Sequence, residues 1–228
     1  MKSETMRAIR DFRDLVNQVQ GELAKIDDGL KDSVKADREG QVWEKYGKHL
    51  SALREKIRQG REHFQGLRLR EADPLTALLR KAWQANDDKP GLGVVSDALE
   101  LMGPEAQLEL AKELNHPALA LRAVTNIRKM DIDPQTRAGL DRKVQELTRG
   151  YVSKNVIREY ASVEKECLEA EVLQNKTFGG SPQDRAALGY SLESLKRVIA
   201  SGEIPDSELQ QAALDEPDPQ ARMNAARQ

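Results

Sequence analysis

Cysteine is almost missing from this chain. Cys167 is the only one in 228 residues, so no intramolecular disulfide can form and no multi-thiolate zinc site can be assembled. A lone free thiol suits a reducing compartment. Aromatic residues are scarce as well, at 4%. Strands favour aromatic and β-branched side chains, so this scarcity weighs against sandwiches and barrels. No run approaches the ~18–20 apolar residues of a membrane span. Lys2, Glu4 and Arg7 are mixed at the N-terminus without an apolar stretch, so no secretory leader is expected. Neither end carries a lipidation signal. These absences predict a cytoplasmic protein without membrane contact. Net charge is only −2, which leaves no global field to draw in nucleic acid.

Catalytic signatures are lacking too. There is no G-x-S-x-G, no Walker sequence and no H-E-x-x-H. Gly91-Leu92-Gly93 has neither a preceding strand nor a third glycine, so it is no nucleotide loop. His49 and His63 lie two heptads apart, about 21 Å along a helix at ~1.5 Å per residue, which is too far for one metal ion. The segment 164–171 holds Glu164, Glu166, Glu169 and Glu171 but no histidine to make a carboxylate–histidine metal site. It reads as a solvated acidic face. Cys167 lies among these glutamates, the wrong setting for a reactive thiolate, and reads as a buried structural thiol. No catalytic, cofactor-binding or metal-binding residue is nominated, and the expectation is a protein that is not an enzyme.

What the chain does contain is helical periodicity. Ile9, Phe12, Val16, Val19, Leu23, Ile26 and Leu30 alternate spacings of three and four. A second seam runs through Trp43, Tyr46, Leu50, Leu53 and Ile57, puts Gly60 in the next slot, and continues to Phe64 and Leu67. Such seams make helices that bury one face against a partner helix, as in coiled coils. Asp37-Arg38-Glu39-Gly40 lies between them and reads as the turn, with Asp28-Gly29 bending the first helix. Residues 1–70 are therefore predicted to form a long helical hairpin.

Beyond residue 70 proline recurs after a small or capping residue. Asp73-Pro74, Gly103-Pro104, His116-Pro117, Asp133-Pro134, Ser181-Pro182 and Asp218-Pro219 each predict a helix start, because proline suits the first helical position. Further helices are expected around Val94–Met102 and from Asp206 to Leu214, and the one begun at Pro134 is read as running on to Leu173. Two turn-rich loops, residues 86–93 and 175–181, punctuate the series. Residues 71–228 are thus a bundle of shorter helices, and the fold class is all-α. The pieces 114–124 and 214–226 both resemble helix starts of HEAT-type repeats. Their spacing of 100 residues is no repeat period, so they are read as two similar helix starts.

Charge is uneven along the chain. Residues 45–70 hold eight basic and two acidic side chains, a balance of +6, whereas residues 203–218 hold six acids and no Lys or Arg. Lys45, Lys48, Arg54, Arg58, Arg61, Arg68 and Arg70 form the candidate interaction surface, with Lys56 in the same run. Alternatively the run is a solvated face balanced by Asp27, Asp28 and Asp32 on the facing helix. The favoured function is an interaction protein (an adaptor, scaffold or assembly component) that meets a protein partner or a second copy of itself through helix faces. The second reading is a nucleic-acid-associated protein using the basic helix, whose arginines and lysines would neutralise phosphates.

Overall fold

The computed structural model describes residues 1–85, 91–179 and 181–209. Residues 86–90 of the first turn-rich loop, Gly180 of the second, the helix start at Asp218-Pro219 and the piece 214–226 lie outside the described residues. Within them the protein is all-α, with no strand. Nine helices follow in order: α1 (Lys2–Leu23), α2 (Asp32–Ala72), α3 (Pro74–Gln84), α4 (Leu92–Glu100), α5 (Pro104–Leu114), α6 (Pro117–Lys129), α7 (Pro134–Arg149), α8 (Lys154–Phe178) and α9 (Pro182–Ser201). Residues 206–209 are also helical.

Two compact units divide the chain. The first comprises Met1–Arg68 and Ile157–Gly202; the second comprises Leu69–Val156 and Glu203–Gln228. A linear division at residue 70 would leave all later helices together, whereas residues 157–202 are compact with the N-terminal helices.

In the first unit the two seams bury each other. Ile9, Phe12, Val16 and Val19 of α1 share one apolar core with Val42, Leu50, Leu53 and Ile57 of α2. Cys167 and Ala170 of α8 belong to the same core, so the pair of long helices is completed by a third. Thr5 faces Gly60, and Glu22 accepts bonds from Lys45 and Tyr46, which makes α1 and α2 antiparallel. Lys2 meets Glu159, Arg13 meets Glu166 and Gln20 meets Thr177, so α1 and α8 run parallel. Arg158 near the start of α8 donates to the carbonyls of Ala200 and Ser201 at the end of α9, which sets α9 antiparallel to α8. Four helices thus form an up-and-down bundle.

The turn of the hairpin is not where the charged stretch predicts it. α1 ends at Leu23, residues 24–31 form the turn, and Asp37–Gly40 sit inside α2. The cause is local: the Asp27 carboxylate accepts from the Gly29 amide, closing a turn that competes with helix. Ile26 and Leu30 therefore leave the seam. A glycine in an open helical position, as at Gly40 where a Cβ would meet nothing within 4 Å, costs about 1 kcal/mol against alanine and does not stop a helix.

In the second unit α6 packs against α3, α4, α5 and α7. Small Ala120 and Ala123, with Val124 and Ile127, let neighbouring helices approach closely, and all are buried with Leu78, Leu108 and Leu140. All five described proline starts open helices at the proline. The Asp73 carboxylate accepts from the Thr76 amide, Asp133 from Gln135 and Thr136, and Ser181 Oγ from Asp184. Gly103 and His116 begin their helices without a side-chain cap. The helix begun at Pro134 stops at Arg149, and α8 starts afresh at Lys154. The Ser153 amide between them donates to the buried Glu71 carboxylate, which also pairs with Arg80.

Candidate interaction surface

Half of the basic run, four of its eight side chains, is neutralised within its own unit. Lys45 donates to Glu22 at 2.9 Å and lies 4.6 Å from the centre of the Tyr46 ring. Arg58 is clamped by Glu55 at 2.7 Å and by Glu62 at 2.6 Å, one turn away on either side. The bond from Arg58, with a second from Gln59, holds the Glu55 carboxyl down at about 2. Arg61 reaches across to Glu171 of α8 at 2.6 Å. Arg68 is not on the surface at all: it is 1% exposed and makes a two-pronged contact with the equally buried Glu164. Lys48 and Arg54 are exposed in the first unit, while Arg70 is exposed in the second.

The balancing acids are therefore Glu22, Glu55, Glu62, Glu164 and Glu171, and not the aspartates of the hairpin turn. Asp28 pairs instead with Lys35 at 2.7 Å. Three of the acids are placed by heptad geometry on other helices, which inspection of one helix could not reveal. The α8 glutamates, read as a solvated face, are ion-pair partners. Glu166 and Glu169 meet Arg13, Glu169 also meets Lys165, Glu164 takes Arg68 and Glu171 takes Arg61. Burial pushes the Glu171 carboxyl up, and Arg61 opposes that shift. Cys167 is fully buried, and burial with Glu171 nearby pushes its thiol up to about 12.

Arg54, Arg58 and Arg61 nonetheless line a groove of about 500 Å³ with Glu171 of α8 and with Asp184 and Leu188 of α9. Three arginines face three carboxylates from Glu55, Glu171 and Asp184, so the groove has no net charge to select an anion. Arg61 Nε and Glu171 Oε1 have no hydrogen-bond partner among the described residues and are sealed from solvent. Those two atoms are closed off, while the rest of each side chain stays partly exposed at the groove wall. Among the described residues no three His, Cys, Asp or Glu side chains cluster to hold a metal ion. No described helix is long and apolar enough to cross a membrane.

Large apolar side chains away from the basic run stay uncovered. Trp83 is 89% exposed on α3, one turn after the partly exposed Leu79. Val94 at 74% and Leu101 at 91% lie two turns apart along α4 and its cap, followed by Met102. Trp83 fell within the apolar positions after Pro74, and only burial separates it from its buried neighbours Leu78 and Ala82. No family model, curated protein or solved structure matches this chain.

Proposed function

We propose that this chain is a non-enzymatic helical interaction protein of the cytoplasm, an adaptor or assembly component that binds a protein partner or a second copy of itself. The observation that carries the reading is the exposed tryptophan of α3. Trp83 leaves an indole almost wholly in water beside Leu79 on the same helical face. Tryptophan is enriched among interface hot spots, and a contiguous apolar patch on a surface marks an association site. The working surface then differs from the basic run: it is a helix face of the second unit. The pairing of Lys45, Arg58, Arg61 and Arg68 with carboxylates of their own unit favours this reading over nucleic-acid binding.

Sedimentation velocity over a hundred-fold range of protein concentration tests it, with wild type and Trp83→Ser at two salt concentrations. The expected result is association in the wild type that weakens in the variant. DNA and RNA binding are followed by fluorescence anisotropy in the same buffers, with Arg54, Arg58 and Arg61 replaced by glutamine as the contrast. A wild type that stays monomeric and binds nucleic acid at low salt, with binding lost in the triple variant, overturns the proposal.

A further inference from the structure

α9 is unevenly attached to its bundle. Its second half is anchored: Leu195 is 4% and Val198 1% exposed, and Ala200 and Ser201 accept from Arg158 of α8. No side chain of residues 182–194 is buried; Leu188, Leu192 and Ser194 are half covered, and Tyr190 is 81% exposed. Among the described residues, no hydrogen bond or ion pair joins 182–194 to α2 or α8. Asp184 bonds to Ser181, Ser191 to Ala187 and Glu193 to Lys196, all within or beside α9 itself. Under this half lies the groove of about 500 Å³, where a packed helix would have side chains. Segments with few buried contacts open at a small fraction of the free energy of global unfolding.

We propose that residues 182–194 form a strap that opens independently of the rest of the four-helix bundle and uncovers the Arg61–Glu171 pair. The anchor at Leu195 and Val198 stays in place during opening. Once lifted, the strap is the unpacked end of α9, held only by its backbone bonds and by contacts within α9 itself, and a helix end without tertiary packing frays in water. Opening is therefore accompanied by melting, and its amides exchange with solvent. The Ser181–Asp184 cap restores the helix when it recloses. Opening exposes a charge-balanced face of the first unit, with Arg54, Arg58 and Arg61 set among Glu55, Glu62 and Glu171; the strap itself stands whether or not the apolar face of the second unit is the docking surface.

Hydrogen exchange on the full chain, resolved by residue or short peptide, tests the strap without any partner. Residues 183–192 are expected to exchange about a hundred-fold or more faster than 196–201. Gly189 lies in the strap, and a Cβ there would meet nothing within 4 Å. Gly189→Ala therefore adds helix propensity without a clash and is expected to slow exchange of 183–192 about four- to five-fold, leaving 196–201 unchanged. Leu195→Ala is expected to extend fast exchange through 196–201. If that variant unfolds the unit, Gly189→Ala alone decides. Uniform protection along α9 overturns the proposal, as does a Gly189→Ala variant whose strap exchanges at the wild-type rate.

Discussion

Two glycines of α2 make the same substitution a test of opposite signs. A Cβ built on Gly60 would lie 2.5 Å from Thr5 Cγ2, 2.8 Å from Thr5 Oγ1 and 3.3 Å from Thr5 Cβ, whereas one on Gly66 would meet nothing within 4 Å. Thr5 is 4% exposed on α1, so it cannot swing into solvent. Rotation about its χ1 does not help either. Both heavy branches already face Gly60, and any 120° turn leaves one of them there. Alanine at either position gains about 0.8–1 kcal/mol of helix propensity. At Gly60 overpacking costs typically ~1–3 kcal/mol, so the net is a loss of about 0–2 kcal/mol, with α1 pushed off α2. Gly66→Ala should stabilise by roughly 0.5–1 kcal/mol. Thr5→Ala removes the two offending atoms, so adding Gly60→Ala to it should stabilise the protein, with a coupling energy of about 1–3 kcal/mol. Urea unfolding of the four variants, followed by far-UV circular dichroism, gives the cycle. The close approach of α1 and α2 at Thr5 and Gly60 is refuted if Gly60→Ala is as stabilising as Gly66→Ala, or if its effect is the same with and without Thr5.

Other expectations follow from the same packing. Phe12→Ala should cost about 3–5 kcal/mol and Leu53→Ala about 2–5 kcal/mol, since the two residues are 1% and 6% exposed; a cost below ~0.5 kcal/mol at both would mean the seams are open in the isolated chain. Glu164→Ala leaves the buried Arg68 without its carboxylate and should cost about 3–5 kcal/mol by urea unfolding; an effect below ~1 kcal/mol would show that Arg68 reaches water. The Cys167 thiol keeps its proton in the fold up to about 12, while the unfolded thiol loses it in the ordinary range. Stability relative to Cys167→Ala should therefore fall as pH rises above ~9, by about 1.4 kcal/mol per pH unit, and a thiol reagent should modify the native protein only at the rate of opening. A flat difference between pH 8 and 10.5, or equal labelling of native and denatured protein, refutes the burial.

The helices were legible in the sequence because their signals are local. Proline after Asp73, Gly103, His116, Asp133 and Ser181 marks five starts through fixed φ and a missing donor, and neither depends on the rest of the fold. The seams were legible for the same reason, since Ile9, Phe12, Leu53 and Ile57 repeat at a helical period and are buried. The turn at 24–31 was not. It is built from short backbone bonds at Lys25, Ile26 and Leu30 together with the Asp27–Gly29 side-chain bond, and these replace the continuation of the seam through Ile26 and Leu30. The fate of the basic run was hidden too. A local balance of +6 is a sum along the chain, whereas neutralisation happens across helices, and Arg61 and Glu171 are separated by 110 positions. Arg68 looked like its exposed neighbours because arginine carries no sequence mark of burial.

The first unit has its two halves separated by the whole of Leu69–Val156. During synthesis at ~5–20 residues per second, α1 and α2 emerge on the order of 5–20 s before the α8 segment that carries Cys167 and Ala170 to their core. Among the described residues, the main apolar cluster of the second unit lies between Leu75 and Tyr151, so it can be assembled while the first waits. For that interval the seams of the nascent hairpin lack their third helix. Until α8 is made, the side of the α1–α2 pair that Cys167 and Ala170 later cover has no helix to pack against.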